Sequence, residues 1–423
     1  GHDGLVINDK IDNDKTLEVL ETKGVPVVGY GTDELPAFYT RSSGLKLVAR
    51  ADTPEEVADM MKAKWSLGLT GSILVANPIP ADKEAESGEI NKAIEEGISN
   101  YTGIKYAAAI VNCTSAIHLS LLLAGVEEED EVITQSFNFI AGANAISYCK
   151  AHPVFVDIDK DSLTMSPTKL KDFLEANYEI RDDGKYWNRL TNRRLTACMP
   201  MNTYGFPADV QGLKKICDDY RIKLIEDSAE SLGSFHDNKH TGTESYISTL
   251  SFNGNKIITT GGGGMILTNN HSIYNKAKHL STTAKLPHKW EFNHDQIGFN
   301  FRMPNLNAAL GLAQLEMLEH FIASKREIAF KYQEWGRDKD LVFIKEKEGS
   351  KSNYWLNCLM TENRQERDYL LEYTNSNNVM SRPSWTPLHQ LEMYKMNFKS
   401  DLKDTMWVHE RLVNLPSSSI IKT

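Results

Sequence analysis

The sequence predicts an α/β protein organised around a parallel sheet, and three observations favour that fold class. Segments with strand-like and helix-like patterns alternate, as in residues 107–116 and 117–124. Residues 221–227 form an apolar run that ends in acids, which is typical of a buried parallel strand that carries a carboxylate to its C-terminal edge. Residues 251–260 lead into the glycines of 261–264, a pattern that predicts a strand end and a tight turn.

The first 86 residues predict a leader followed by a small α/β unit. Residues 1–15 are polar and rich in Asp and Asn, and we interpret them as a leader or loop. The unit of residues 16–86 then alternates helical and strand-like patterns, with Thr53 as a helix cap. Its predicted elements are a helix over 16–23, a strand over 25–30, a helix over 54–67 and a strand over 71–78.

The rest of the chain predicts a large and a small α/β domain. The large domain covers residues 87–320, and the small C-terminal domain covers residues 321–423. Within the large domain, the charged insertion of residues 177–194 predicts a surface loop or hairpin. An apolar periodicity over residues 306–321 predicts one long helix that links the two domains.

Composition argues against several classes of function. The formal net charge of -10, without a basic cluster, argues against a nucleic-acid-binding groove. The sequence shows neither an apolar run that could span a bilayer nor a signal-peptide core, so we expect a cytoplasmic protein that binds no membrane. The cysteines lack CxxC spacing and therefore predict reduced core thiols rather than disulfides or a metal site; they are Cys113, Cys149, Cys198, Cys217 and Cys358.

The stretch around Lys256 carries the first candidate for chemistry. A lysine held in a cleft is partly desolvated, which favours the neutral amine that attacks a carbonyl. Upstream, Asp227 ends the predicted buried strand at the edge where open α/β sheets place ligands. A carboxylate at that edge could hold a proton on a pyridine nitrogen. Taken alone, Lys256 has a simpler interpretation, which is a solvated side chain beside a flexible glycine loop.

The acid on one strand and the lysine after a later one resemble the DegT/DnrJ/EryC1 family of sugar aminotransferases, over about residues 88–419. The motif SFNGNKIITTGGGG at residues 251–264 is most similar to the branch that aminates UDP-linked 4-keto-6-deoxy-HexNAc sugars, of the bacillosamine or legionaminic acid type. The resemblance implies a fold-type-I, aspartate aminotransferase-like fold and pyridoxal 5'-phosphate as cofactor. The related sugar dehydratases carry a histidine where this chain has Lys256.

The resemblance also implies which residues bind the cofactor. Lys256 would form the Schiff base and shuttle a proton, and Asp227 would bond the protonated ring nitrogen. Phe139 would stack on the ring, and Glu230 would lie near its O3' side. The phosphate would be bound by Thr114, Ser115, Ser251 and, from a neighbouring subunit, Asn300.

A substrate set and a homodimer follow from the same resemblance. The implied substrates are L-glutamate and a UDP-linked keto sugar, bound at a site shared across the dimer interface. Asn202 stands where the family usually has histidine, and Arg382 could equally be a solvated surface side chain. The substrate-binding residues implied are Asn202, Tyr204, His294 and Arg382.

Residues 16–80 resemble a different family, the pseudouridine-5'-phosphate glycosidases. The Gly-Ala-Lys-Ser motif that carries that family's catalytic lysine is replaced here by Asn13, Asp14 and Lys15, and its catalytic glutamate has no counterpart. We therefore interpret this part as a remnant without glycosidase chemistry. Arg41 and Asn77 match site residues of that family, but a purely structural role is the simpler interpretation.

The sequence thus predicts a pyridoxal-phosphate-dependent aminotransferase that moves an amino group from L-glutamate to the C4 ketone of a UDP-linked 4-keto-6-deoxy amino sugar. Two alternatives stay open. One is a protein related in function to the pseudouridine-5'-phosphate glycosidases. The other is a catalytically impaired fusion that binds the cofactor, because the opening segment and final helix usual in the aminotransferase family are not recognised in the sequence.

Overall fold

The computed structural model describes residues 17, 20, 22, 24–36, 44–69, 71–78, 89–288 and 291–420. The chain divides into two compact units, Gly1–Ile90 and Asn91–Thr423. Some predicted features lie outside the described residues, namely the leader of residues 1–15, the start of the large domain at residue 87, and Arg41.

The first unit contains a small parallel sheet, as its alternating pattern predicts. The strand order is β2-β1-β3, and β1 is paired in parallel with both neighbours. Thr53 caps the helix as expected, because its hydroxyl accepts a hydrogen bond from Glu56 N at 3.2 Å. The elements are β1 (Val27–Tyr30), β2 (Ala49–Ala51), α1 (Pro54–Ser66) and β3 (Leu74–Ala76).

The second unit is organised around a seven-stranded sheet with the order β4-β14-β13-β10-β9-β5-β6. Its strands are β4 (Tyr106–Ile110), β5 (Glu131–Gln135), β6 (His152–Val156), β7 (Tyr178–Ile180), β8 (Tyr186–Asn188), β9 (Leu195–Met199), β10 (Lys223–Asp227), β11 (Phe235–His236), β12 (Lys239–His240), β13 (Ile247–Ser251), β14 (Gly264–Thr268), β15 (Val342–Phe343), β16 (Ser350–Lys351), β17 (Asn357–Met360), β18 (Arg382–Pro383) and β19 (Leu412–Leu415).

The second unit contains helices that cover the seven-stranded sheet and others that belong to its C-terminal part. They are α2 (Glu89–Thr102), α3 (Cys113–Leu123), α4 (Ile140–Tyr148), α5 (Pro167–Asn177), α6 (Val210–Asp219), α7 (His271–Ser281), α8 (Asn305–Glu316), α9 (Leu318–Arg337), α10 (Arg364–Ser376) and α11 (Lys403–His409). In the C-terminal part, α10 packs against β18 and β19. Successive strand residues point to opposite faces, and in β5 Val132 packs in a core cluster with α3 and α4 while Ile133 packs in another with α5 and α6. The sheet is therefore covered on both faces.

The predicted parallel sheet is confirmed, with one exception at β14. This strand is antiparallel to both β13 and β4, whereas β10 is parallel to β9 and β13. Strand β10 lies in the middle of the sheet, where side chains on both faces are buried, and this explains its apolar residues Leu224 and Ile225. Glu226 and Asp227 are buried as well. The strand ends at Asp227, so the carboxylate lies at the C-terminal edge of the sheet as predicted.

Other expectations have mixed outcomes. The insertion of residues 177–194 contains a hairpin, in which β7 and β8 are antiparallel. All five cysteines are free and buried, as predicted. The single helix expected over residues 306–321 is wrong, because the helix breaks at Met317 between α8 and α9. Beyond this break, β15, β17, β19 and β18 form an antiparallel sheet. In the part of the chain that is described, we find no helix with the length and apolarity that a membrane span requires.

Candidate active site

The turn that carries Lys256 is fixed from several sides. It follows β13, and Lys256 N donates a hydrogen bond to Asn253 O at 3.0 Å. The indole Nε1 of Trp355 donates to Asn255 O at 2.7 Å, which ties the turn to a residue distant in sequence. Lys256 is thus held just beyond a central strand, and its side chain is only 14% exposed.

Two groups surround the amine of Lys256. Its Nζ lies 3.1 Å from Oε1 of Glu230, and 4.1 Å from the centre of the Trp355 ring. The carboxylate attracts the ammonium form of the lysine, and the ring face adds a cation–π interaction. Both carboxylate oxygens of Glu230 have a partner, because Oε2 accepts a hydrogen bond from Tyr204 N at 2.8 Å. Burial raises the pKa of Glu230 to about 7, although Lys256 opposes that shift.

Asp227 presents a second buried carboxylate to the same site. Burial raises its pKa to about 6, while the backbone N–H of Ala229, a donor at 3.1 Å, and the charge of Lys256 lower it. A carboxylate in this setting gains from a cationic partner. A protonated pyridine nitrogen is such a partner, because it supplies both a charge and an N–H donor.

A cavity of about 300 Å³ joins these groups. Six of the residues predicted to bind the cofactor line it, and they are Thr114, Phe139, Asp227, Glu230, Ser251 and Lys256. The other lining residues were not singled out as site residues by the sequence analysis; the asparagines and tryptophans among them are Asn112, Asn253, Asn255, Trp355 and Trp385. Trp385 lies in the loop that follows β18.

One end of the cavity is suited to an anion. Helix α3 begins there, and the side chain of its N-cap, Asn112, accepts a hydrogen bond from Ser115 N at 2.8 Å. The backbone approaches closely at this point, since a Cβ on Gly264 would lie 2.6 Å from Cys113 N. The hydroxyl-bearing residues Thr114 and Ser251 line the cavity beside this helix end.

The arrangement fits pyridoxal phosphate. Asp227 supplies a carboxylate for the ring nitrogen, Lys256 supplies an amine for the aldehyde, and the start of α3 supplies N–H donors for the phosphate. Phe139 is half-exposed and lines the cavity, so its ring is available for stacking. These residues lie at the ends of strands of one sheet and at the starts of the helices that follow such strands. Open α/β sheets bind ligands at this edge.

Asn202 and Tyr204 do not fit the substrate-binding role expected of them. Asn202 is fully buried, and its side chain donates to Glu226 at 2.8 Å and accepts from Ala208 N at 2.8 Å. Tyr204 is also fully buried, and its φ of 55° turns its N–H towards Glu230. Tyr204 therefore supports Glu230 from behind, whereas Asn202 bonds Glu226, which does not line the cavity.

The remaining predicted residues are not among those lining the cavity of this chain. Ser115 contributes its N–H to the helix cap, and His294 is exposed and bonded to Thr283 O at 2.8 Å. Arg382 is exposed and donates to Asn375 Oδ1 at 3.1 Å. Asn300 is exposed as well, so its predicted role at a neighbour's phosphate stays a prediction. In the first unit Asn77 is exposed.

The fold of the second unit is shared with solved aminotransferases. A DegT/DnrJ/EryC1/StrS aminotransferase from Brucella abortus superposes with a TM-score of 0.72 at 24% identity, covering 86% of this chain and 91% of that one. PseC of Helicobacter pylori, described as an aminotransferase involved in the biosynthesis of pseudoaminic acid, superposes with a TM-score of 0.70 at 24% identity, covering 79% of this chain and 88% of that one. The predicted fold-type-I class is thereby confirmed.

Sequence comparison separates the two parts of the chain. The family model described as DegT/DnrJ/EryC1/StrS aminotransferase matches residues 75–423, and the model of Indigoidine synthase A like protein matches residues 7–111. The second match supports the glycosidase-like resemblance of the N-terminal part. It overlaps the first match, so the comparison leaves the predicted domain boundary as a prediction.

Curated relatives of this chain include a pyridoxal phosphate-dependent aminotransferase and GDP-perosamine synthases. EpsN of Bacillus subtilis (strain 168), named as a pyridoxal phosphate-dependent aminotransferase, is 37% identical over 340 residues, covering 79% of this chain and 84% of its own. GDP-perosamine synthase of Escherichia coli O157:H7 is 34% identical over 336 residues, covering 79% and 86%. The chain therefore belongs to the DegT/DnrJ/EryC1/StrS aminotransferase family and is a pyridoxal-phosphate-dependent sugar aminotransferase.

Proposed function

We propose that this protein transfers the amino group of L-glutamate to the C4 ketone of a UDP-linked 4-keto-6-deoxy acetamido sugar. The products are 2-oxoglutarate and the corresponding 4-amino sugar. The observation that carries the proposal is the convergence of Lys256 and Asp227 on one cavity that ends at the start of α3. The UDP-linked sugar is supported by the motif of residues 251–264.

The residues have distinct tasks in this proposal. Pyridoxal phosphate supplies an electron sink that stabilises negative charge on the carbon bearing the amino group. Asp227 holds the proton on the ring nitrogen and so keeps that sink effective. Lys256 would hold the cofactor through its amine and, when free, would serve as the base that moves a proton at the carbon bearing the amino group. Glu230 lies 3.1 Å from Nζ and can hold the lysine between these steps.

A GDP-linked sugar is the second candidate. It is favoured by the relatives, since GDP-perosamine synthases of Escherichia coli O157:H7 and Vibrio cholerae are each 34% identical to this chain. The two candidates differ in the nucleotide and in the substituent at C2 of the sugar. The reacting ketone is the same, so the catalytic residues do not discriminate between them.

A direct comparison of the two sugars tests the proposal. Purified protein is incubated with L-glutamate and either keto sugar, and the amino sugar and 2-oxoglutarate are measured by mass spectrometry. We expect both products with the UDP-linked acetamido sugar, and much less with the GDP-linked sugar. The opposite preference would replace the first candidate by the second.

A lysine pair provides the control for this assay. Lys256→Ala should abolish turnover, while Lys239→Ala, at an exposed lysine, should retain it. Turnover by Lys256→Ala would overturn the assigned role of Lys256.

Absorption spectroscopy separates both candidates from the alternatives left open by the sequence. The spectrum of the protein with pyridoxal phosphate is recorded before and after L-glutamate is added. Conversion of the bound cofactor to its amine form would show a working first half-reaction.

A protein that binds the cofactor but leaves it unchanged would support an impaired fusion. Release of uracil from pseudouridine 5'-phosphate in a parallel assay would support the glycosidase alternative.

A further inference from the structure

Asn138 has an unusual position for an asparagine. It is 1% exposed, and neither its side-chain nitrogen nor its side-chain oxygen has a hydrogen-bond partner among the described residues. Buried polar groups are nearly always paired in native proteins, so an unpaired carboxamide requires an explanation. Asn138 directly precedes Phe139, which lines the cofactor cavity and caps helix α4. A role at that cavity is therefore the first explanation to consider.

Gly142, one helical turn further on, shows what Asn138 faces. A Cβ added to Gly142 would lie 3.5 Å from Asn138 Nδ2 and 3.9 Å from Asp227 Oδ2. The amide and the carboxylate therefore border the same small space, and the absence of a side chain at Gly142 keeps this space open. Met199 Cε also lies near this point, at 3.1 Å, and is a flexible apolar atom that can yield.

Asp227 has capacity for another donor. Among the described residues, the backbone N–H of Ala229 is the group that donates a hydrogen bond to it, and this bond goes to Oδ1. A carboxylate that must stay ionised beside a pyridinium gains from each N–H donor it accepts. The other charged groups that act on Asp227 are Lys256 and Glu230, with the thiol of Cys113 also nearby.

We propose that Asn138 is a positioning residue for Asp227. Its Nδ2–H donates a hydrogen bond to the Asp227 carboxylate when the cofactor is bound, which orients the carboxylate and keeps it ionised towards the ring nitrogen. The required movement is a side-chain rotation into the space over Gly142. The inference concerns the cofactor end of the site and is independent of which sugar is aminated.

Titration of the protein with pyridoxal phosphate tests this role without any sugar. Asn138→Leu keeps the shape of the side chain and removes the donor. A hydrogen bond to a charged group is worth enough that its loss should raise the cofactor dissociation constant roughly tenfold or more. The pH at which the bound cofactor changes its visible absorption should also shift, because that pH depends on the protonation of the ring nitrogen. A merely structural role for Asn138 would leave this pH unchanged.

Two further variants keep the test decisive if Asn138→Leu is poorly folded. Gly142→Ala places a methyl group between the amide and the carboxylate, and should weaken cofactor binding in the same direction. Thr405→Val is the matched control, because it removes a buried hydroxyl that likewise has no hydrogen-bond partner among the described residues. Thr405 lies in helix α11 outside the cavity, so this variant should leave cofactor binding unchanged.

A double-mutant cycle identifies the partner of Asn138. In an Asp227→Asn background, Asn138→Leu should weaken cofactor binding far less than it does in the parent, because the carboxylate it serves is gone. Cofactor affinity within twofold of the parent in folded Asn138→Leu and Gly142→Ala would overturn the proposal. Equal losses in both backgrounds would overturn it too.

Discussion

At the scale of single residues, the site is built from acids that are costly to bury. Asp227 and Glu230 are both nearly inaccessible, and burial raises the pKa of each. In the protein without cofactor, Glu230 is compensated by Lys256 at 3.1 Å, whereas Asp227 has one backbone donor. The buried Asp227 carboxylate therefore destabilises the cofactor-free protein and favours binding of a cationic ring.

The cost of burying the Asp227 carboxylate predicts how Asp227→Asn changes the free energy of unfolding. The folded-state pKa of Asp227 is raised from 3.8 to about 6, so the stabilisation from this group is present below pH 3.8 and is lost as the pH rises through about 6. Above that pH, the cofactor-free variant should be more stable than the cofactor-free parent by about 1–3 kcal/mol. Urea unfolding at several pH values measures the difference.

The same experiment contains its own control. The advantage of Asp227→Asn should shrink as the pH falls below about 6, where the parent carboxylate becomes protonated. With pyridoxal phosphate bound, the order should reverse, because the variant no longer holds the ring nitrogen. A cofactor-free parent that is the more stable protein at every pH would contradict this account.

At the scale of elements, the glycine run brings a strand close to a helix start. Gly264 begins β14, and a Cβ there would meet backbone atoms of Asn112 and Cys113 at 2.7 and 2.6 Å. Backbone atoms cannot move aside cheaply, so glycine is required at this point. Gly262 lies in the same run, yet a Cβ on it would meet nothing within 4 Å. Gly262 is therefore not needed for packing, whereas Gly264 is, and Gly263 is crowded as well because a Cβ on it would lie 2.2 Å from Thr260 Oγ1.

Two alanine substitutions test this distinction. Gly264→Ala should lower the free energy of unfolding by roughly 1–3 kcal/mol, as overpacked substitutions do, and should weaken cofactor binding because α3 must move. Gly262→Ala should change stability by less than about 0.5 kcal/mol. Thermal unfolding and cofactor titration provide both measurements. Similar losses in the two variants would show that flexibility of the run, rather than close approach, is what matters.

At the scale of the whole molecule, we propose a homodimer with shared sites. Asn300 is exposed in this chain and is absent from the lining of its own cavity, which is compatible with service to a neighbour's phosphate. Helix α8 adds a stripe of exposed apolar side chains, including Leu306 and Leu310, that would gain from burial against a second copy.

Mixing two inactive variants tests the shared site. Lys256→Ala lacks the lysine, and Asn300→Ala lacks the residue expected to reach across. Each should be inactive or strongly impaired alone, and refolding them together should restore activity, because mixed dimers contain one complete site. A mixture of Lys256→Ala with Asp227→Ala is the control and should stay inactive, since both residues are expected to serve the site of their own chain. Equal behaviour of the two mixtures would refute sharing through Asn300.

The sequence alone predicted the sheet and the two residues on it, Asp227 and Lys256, that we propose as the catalytic pair. A buried apolar strand that ends in Asp227, and a lysine before four glycines, are local patterns, and the resemblance they support fixed the family, the cofactor and the fold. The same resemblance assigned Thr114 and Ser251 to the cofactor phosphate, and both residues line the cavity.

Tertiary structure decided which polar groups are free to act. Asn202 and Tyr204 were expected to bind substrate, yet both are buried; the side-chain amide of Asn202 donates to Glu226, and the backbone N–H of Tyr204 donates to Glu230. The ring of Trp355 contacts the amine of Lys256 although the two residues are far apart in the sequence. Burial and hydrogen-bond pairing depend on contacts between segments far apart in the chain, so no local pattern reports them. For the same reason, only the folded chain reveals Asn138 as an unpaired amide beside Asp227.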